Sequence, residues 1–173
     1  KARVIFGSQQ SKQLIQKIID DATYEHIWSK DDMQAIYSMR YQMEENTAPQ
    51  NLKRGRGGVV DIEFIAQALQ LRYGKCQKRL RATGTHTAFT ELHIAGHLSQ
   101  SQFSDLSSAY RFLRLIEGRL RLIDATARHD FPSNPDEQHN LAALLGYKNA
   151  SALSNDVRRI TTQTRNHFET IFQ

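Results

Sequence analysis

Apolar residues recur at helical spacing along most of this 173-residue chain. Positions i, i+3, i+4 and i+7 then share one face of a helix. Residues 10–27 predict a first helix, and Ser29 with two following acids predicts the N-terminal cap of a second. The second helix should end before Pro49, because proline disfavours a helical predecessor. The predicted inward residues are Leu14, Ile15, Ile18, Ile19 and Ala22 in the first helix, and Met33, Ile36, Tyr37 and Met43 in the second.

Five more helices are predicted beyond a loop at residues 47–58. They span residues 59–73 with Gly74 as the stop, about 85–95, about 100–125, a short helix capped by Asn134 and ended by Gly146, and about 150–171. Only residues 2–6, ARVIF, suggest a strand. The predicted class is therefore all-α, a bundle of antiparallel helices. The inward residues are Val59, Ile62, Ile65, Ala66, Leu69, Tyr73, Phe103, Leu106, Tyr110, Leu113, Leu120, Ile123, Leu153, Val157, Ile160, Phe168 and Ile171.

Composition narrows the class of protein. No run approaches the roughly 18 apolar residues of a membrane span. The single cysteine, Cys76, excludes an internal disulfide and a cysteine zinc site, which indicates a reducing, cytoplasmic setting. The chain opens on Lys1 without a methionine, so we expect it to be cut from a longer protein.

The positive charge is local. The net charge is +5, yet residues 53–81 carry eight cations and only two acids, Asp61 and Glu63. This distribution predicts one patch that faces phosphate, a nucleotide, nucleic acid or an acidic protein surface.

The patch begins with a segment that we call the glycine loop, residues 53–58. A glycine-rich loop before a helix exposes backbone N–H groups and the positive end of the helix dipole, which favours an anion. The spacing is not that of a Walker A motif. The alternative is a flexible turn with solvated arginines. The candidate residues for binding phosphate or nucleotide, or for a domain interface, are Lys53, Arg54, Gly55, Arg56, Gly57 and Gly58.

Two carboxylates follow, Asp61 and Glu63. On a helix they lie about 200° apart and cannot both face one metal ion. Asp61 would be stabilised in the first helical turn by the dipole. In the alternative, one of the two faces an active site that another domain completes.

Other polar clusters favour structural roles. His93 and His97 have the spacing of a helical metal pair but lack the His-Glu-x-x-His pattern, so surface or interface histidines are expected. His129, Asp130 and His139 are expected to serve turns and caps. Arg114, Glu117 and Arg121 are expected to form an ion-pair ladder on a helix surface, although Arg114 and Glu117 are also candidates for an interface.

The stretch LKRGRGGVVDIEFIAQALQLRYG resembles a motif of the bifunctional glutamine synthetase adenylyltransferase/adenylyl-removing enzymes. AYRFLRLIEGRLRL at residues 109–122 resembles the helix that follows in that family, and KARVIF resembles the end of its catalytic domain. The VV before the acid looks more like the C-terminal, adenylylating half. The matching motif residues are Lys53, Gly55, Gly57, Gly58, Asp61, Ile62, Glu63, Phe64 and Gln67.

The resemblance implies an all-α domain behind a nucleotidyltransferase domain. It implies that the parent enzyme transfers AMP from ATP to a tyrosine of glutamine synthetase with Mg²⁺, under the control of glutamine and the PII signal protein. Gly7-Ser8 resembles the start of the catalytic motif, but no Asp-x-Asp follows, so no catalysis is expected from this chain alone. The expected division is a remnant of the catalytic domain at 1–8, a main bundle at 9–128 and a helical pair at 129–173.

Two other classes of function remain open. The basic patch at 53–81 suits a helical nucleic-acid-binding module, although it lacks aromatic residues interleaved for base stacking apart from Tyr73. A pure interaction scaffold, in which the loop binds no ligand, is the third class.

Overall fold

The computed structural model describes residue 2, residues 4–123 and residues 129–172, and these form an all-α fold, as predicted. None of the described residues lies in a strand, and Arg3 of the ARVIF stretch lies outside them. No helix among them combines the length and the apolar character needed to cross a membrane. The described helices are α1 (Gln9–Tyr24), α2 (Lys30–Glu45), α3 (Val59–Tyr73), a 3-10 helix (Lys78–Leu80), α4 (Thr85–Ile94), α5 (Gln100–Ile123), α6 (Pro135–Leu144) and α7 (Ala150–Phe172).

The helix ends follow the capping signals of the sequence. Ser29 and Asp32 form a reciprocal capping box at the start of α2, which satisfies backbone N–H groups that a helix leaves unpaired. The Asn134 side chain caps α6, and Pro135 is its first residue. The predicted limits of α3 are confirmed at both ends. The long helix was predicted to reach residue 125, and residues 124 and 125 lie outside the described part.

The core is built around α3, which contacts α2, α4, α5 and α7. Ile62 and Ile65 of α3 are fully buried, as are Leu113 of α5 and Phe168 of α7. A helix that is apolar on most of its surface is stable only when other helices surround it. The central position of α3 places the glycine loop, which leads into it, against α7.

The prediction for α1 is wrong. Its apolar residues were expected to face the core, yet the exposed fractions are 61% for Leu14, 43% for Ile15 and 58% for Ile18. Ala22 is also exposed, and only Ile19 is half-buried. No residue of α1 is buried among the described residues, because no other described helix covers this face.

One smaller expectation also changes. Ile123, predicted to face inward, is 43% exposed at the end of α5. The connector between α3 and α4 contains the 3-10 helix, and Leu80 in it is fully buried. Leu80 is apolar, so its burial draws the connector onto the core.

Residues 129–131 pair with the segment that leads into the glycine loop. The Leu52 N–H donates to the His129 carbonyl at 2.8 Å, and the Phe131 N–H donates to the Gln50 carbonyl at 2.9 Å. The Asn51 amide nitrogen lies 2.6 Å from an Asp130 carboxylate oxygen. These bonds fix the start of the loop to a distant part of the chain.

Candidate functional site

Backbone N–H groups in and next to the glycine loop donate hydrogen bonds to nearby residues of the chain. Asn51 accepts three N–H groups, those of Lys53 and Arg54 at its side-chain oxygen and that of Gly55 at its carbonyl. The Val59 N–H donates to Leu52 at 3.0 Å, and the Val60 N–H donates to Lys53 at 2.9 Å. The expectation that these N–H groups are free for an anion is therefore wrong, because the protein supplies their acceptors.

Close packing explains the glycines. Gly57 has φ +70, a conformation that residues with a Cβ rarely adopt. A Cβ added there would overlap the carbonyl group of Thr161 in α7, and one added at Gly58 would lie 2.6 Å from the Leu52 carbonyl oxygen. The alternative of a flexible turn with solvated arginines holds only in part: Gly57 packs closely against Thr161 of α7, but Arg54 and Arg56 are exposed.

Asp61 lies in the first turn of α3 and is completely buried. One of its oxygens accepts a hydrogen bond from the Arg40 Nε atom. The other accepts the Gly57 N–H at 2.8 Å and lies 3.3 Å from Arg165 Nη1. Arg40 also donates to the Gly55 carbonyl at 2.9 Å. A single carboxylate thus joins α2, the glycine loop, α3 and α7.

We call Arg40, Glu44, Asp61, Arg165 and Glu169 the buried charge cluster. Arg165 is 1% exposed, donates from Nε to Glu169 at 2.9 Å, and donates from Nη1 to Glu44 at 2.9 Å. Its guanidinium carbon lies 4.5 Å from the centre of the Tyr41 ring, within the range of a cation–π contact. Buried charges are tolerated only when they are paired and hydrogen-bonded in this way.

Opposing influences act on the ionisation of this cluster. Burial raises the pKa of the Asp61 carboxyl, while Arg40, Arg165 and the Gly57 N–H oppose that rise because they stabilise the charged form. Burial disfavours the charge of Arg165, but its hydrogen bond to Glu169 and the charge of Asp61 raise its pKa overall.

Only part of the motif points outward. Arg54 is exposed, and Lys53 and Glu63 are half-exposed. None of these three makes an ion pair with a described residue. Arg56 is exposed, but its guanidinium lies 2.7 Å from Glu169 at the edge of the cluster. The two carboxylates therefore have different surroundings. Asp61 is buried and pairs with other parts of the fold, while Glu63, Lys53 and Arg54 are accessible to a ligand or to another domain.

The comparisons with known proteins agree with this motif. The family model described as GlnD PII-uridylyltransferase matches residues 31–172, which include the glycine loop and the whole charge cluster. The chain belongs to this family.

Three curated relatives that match between 60% and 99% of the chain have the same name, bifunctional glutamine synthetase adenylyltransferase/adenylyl-removing enzyme. The Nitrosococcus oceani protein is 28% identical over 99% of this chain and 18% of its own length. The Ralstonia nicotianae protein is 34% identical over 70% of the chain and 13% of its own. The Xanthomonas axonopodis pv. citri protein is 41% identical over 60% and 11%. The chain thus spans less than a fifth of these relatives, and the resemblance stated from the motif is confirmed.

The expected ladder of Arg114, Glu117 and Arg121 forms only in part, since Arg114 pairs with Glu117 but Glu117 is buried. Glu117 is 2% exposed, and its carboxylate lies 2.7 Å from Arg114 and 3.1 Å from the His129 ring. Arg121 makes no ion pair with a described residue. Glu117 instead anchors His129, whose carbonyl holds Leu52, so this pair supports the start of the glycine loop.

His93 and His97, expected to be surface or interface histidines, are both half-buried and stack on aromatic rings. The His93 ring stacks on Phe103 with centres 4.8 Å apart, and the His97 ring stacks on Tyr73 at 3.7 Å. Among the described residues, no group of three or more metal-ligating side chains comes together. His93 lies in the last turn of α4, and His97 lies beyond the end of that helix.

Four of the eight cations in the basic patch at 53–81 are paired with acids. These acids come from other elements, and this pairing weakens any attraction to a polyanion. The pairs are Arg56 with Glu169, Lys75 with Glu25, Arg79 with Glu91 and Arg81 with Asp20.

The sequence analysis missed Arg40 and Arg165, which complete the site. Both stand on predicted inward faces: Arg40 lies four and three residues after Ile36 and Tyr37, and Arg165 lies three before Phe168. That spacing is the one signal that could have identified them. The pairing with Asp61 spans 21 and 104 positions along the chain, and no local pattern carries such information.

Proposed function

We propose that this chain is a helical domain of an enzyme that attaches AMP to glutamine synthetase and removes it. Support comes from the family membership and the shared name of the relatives, and from the resemblance of the glycine loop to the motif of that family. In this proposal ATP and Mg²⁺ act at a catalytic domain outside these residues, in the bacterial cytoplasm. Glutamine and the PII signal protein act on the same parent enzyme as regulators.

The observation that carries the proposal is that part of the motif is buried and structural, while Lys53, Arg54 and Glu63 are accessible. The buried charge cluster and the occupied backbone N–H groups hold the glycine loop in one conformation. The backbone at Lys53 and Arg54 is then fixed by Asn51, while their side chains remain partly or fully exposed and make no ion pair with a described residue. Cations on an ordered backbone can meet nucleotide phosphates or an acidic face of the adjoining catalytic domain with a smaller entropic cost than cations on a flexible loop.

The contribution of this domain is therefore to position groups. No step of the chemistry is assigned to Asp61, because both of its oxygens are engaged by Arg40, the Gly57 N–H and Arg165. The proposed domain includes the helical pair α6 and α7, and this is supported by α7, which supplies Arg165 and Glu169 to the cluster.

The test uses the full-length parent enzyme with Lys53→Gln and Arg54→Gln together. We expect slower adenylylation of glutamine synthetase, by roughly tenfold or more if both cations contact phosphate, since each charged hydrogen bond contributes about 1.5–3 kcal/mol. The melting temperature should not change. Arg79→Gln is the control, because it removes a cation from the same patch that is already paired. A wild-type rate for the double variant would refute the proposal.

Glu63 has its own test in the same enzyme. Glu63→Ala should lower turnover more than it lowers the free energy of unfolding, because this half-exposed carboxylate has no ion-pair partner among the described residues. A wild-type turnover would remove Glu63 from the site.

A further inference from the structure

A groove separate from the glycine loop lies where the start of α2 meets the ends of α3 and α7. It has a volume of about 540 Å³, which is in the range of sites that bind ligands or peptide side chains. Its lining residues are Trp28, Ser29, Lys30, Met33, Gln34, Arg72, Ile171 and Phe172.

The floor of the groove is apolar and rests on the core. Trp28, Met33 and Ile171 are half-buried and pack against the core cluster, and Phe172 belongs to it. The Phe172 ring stacks on Phe168 with centres 4.4 Å apart, which fixes its position. Tryptophan, phenylalanine, methionine and arginine are the residues enriched where proteins contact one another.

The charge of the groove has one sign. Lys30 and Arg72 are exposed, and neither makes an ion pair with a described residue. None of the described lining residues is acidic. The nearby Asp32 is engaged elsewhere, since its carboxylate accepts from Ser29 and lies 2.9 Å from the His26 ring. Glu169 of α7 pairs with Arg56 and Arg165.

We propose that this groove is a docking site for an acidic amphipathic segment of a partner protein. Apolar side chains of the segment would cover Trp28, Met33 and Ile171, and its carboxylates would pair with Lys30 and Arg72. A protein segment fits better than a small anion, because the groove is wide and open and its two cations stand at the rim of an apolar floor. The proposal goes beyond the positioning role given to the glycine loop and does not depend on it.

The single tryptophan of the chain makes the test direct, because Trp28 lies in the groove itself. The probes are two synthetic helical peptides with leucines along one face, flanked by glutamates in one and by lysines in the other. The glutamate peptide should shift Trp28 emission to shorter wavelength and bind at least roughly tenfold more tightly than the lysine peptide, a difference of about 1.4 kcal/mol. Added salt should weaken its binding.

Matched variants locate the binding. Lys30→Gln with Arg72→Gln should raise the Kd of the glutamate peptide by roughly threefold to tenfold, because rim ion pairs are individually weak. Arg111→Gln with Lys148→Gln makes the same change of charge at exposed positions elsewhere and should leave the Kd unchanged. Circular dichroism checks that each variant remains helical.

Three results would overturn the proposal. The first is no change in Trp28 emission with the glutamate peptide. The second is equal affinity for both peptides, or an unchanged Kd in the Lys30/Arg72 variant. The third is displacement of the peptide by AMP with a matching emission change, which would assign the groove to small aromatic anions.

Discussion

Helices α1 and α3 differ in how well the hydrophobic pattern of the sequence predicts which residues are buried: apolar residues of α1 are exposed, and polar residues of α3 are buried. The α1 sequence alternates apolar and polar positions at helical period, yet Leu14 and Ile18 are more than half exposed. The α3 sequence carries Asp61 and Gln70 among its apolar residues, and both of these polar side chains are buried. Gln70 donates to the carbonyls of Leu80 and Ala82.

The difference shows what a hydrophobic stripe predicts. It predicts that a helix forms and has a face suited to burial, but not which surface covers that face. A polar residue is buried when distant partners satisfy it, as Arg40 and Arg165 satisfy Asp61. Stability in this molecule is therefore concentrated around α3 and the glycine loop, and α1 contributes little.

The largest expected effect is that of Asp61→Ala. Removing this carboxylate leaves Arg40 and Arg165 buried without their shared partner, and breaking such pairs costs about 3–5 kcal/mol. The midpoint of urea unfolding measures the loss. Glu63→Ala, two residues along the same helix, is the control and should cost less than about 0.5 kcal/mol. A loss for Asp61→Ala as small as the one expected for Glu63→Ala would mean that Asp61 is not a structural residue.

Isoleucine truncation compares the two helices directly. Ile65→Ala in α3 should lower the free energy of unfolding by about 2–5 kcal/mol, because the side chain is fully buried. Ile18→Ala in α1 should change it by less than about 0.5 kcal/mol. Urea denaturation of both variants provides the measurement. A large loss for Ile18→Ala would contradict the exposed position of α1.

Gly57→Ala tests the contact between the loop and α7. Gly57 and Gly96 both have positive φ, but only at Gly57 would a Cβ overlap another backbone. The strained conformation alone costs of order 1–3 kcal/mol. Gly57→Ala should therefore lower the melting temperature more than Gly96→Ala. Equal shifts would show that the approach to Thr161 is not close.

The smallest global effect is expected for Arg81→Gln, which loosens α1. Arg81 lies 3.0 Å from Asp20, and its guanidinium stands over the Tyr24 ring at 4.6 Å. We expect faster amide hydrogen exchange in α1, unchanged exchange in α3, and a loss of roughly 1 kcal/mol or less. Arg79→Gln breaks a pair with α4 instead and should leave α1 exchange unchanged. Unchanged exchange in the Arg81 variant would mean that other contacts hold α1.

The sequence was sufficient for local features. Ser29 and Asn134 predicted the starts of α2 and α6, because a cap acts within three residues. The end of the loop at residue 58 and Gly74 predicted the limits of α3. The sequence was not sufficient for the site. The glycine loop was predicted to offer free N–H groups, but their acceptors include Leu52, which is itself held by His129 far along the chain. Long-range partners of this kind have no local spacing.

Amide hydrogen exchange at the glycine loop tests the central claim most directly. The claim is that the N–H groups of Gly57, Gly58, Val59 and Val60 are occupied by acceptors of the chain itself and serve the fold. These amides should exchange as slowly as the centre of α3, through global unfolding, and far more slowly than the amides of α1. Exchange at the loop as fast as in α1 would contradict the account and return these groups to the binding of an anion.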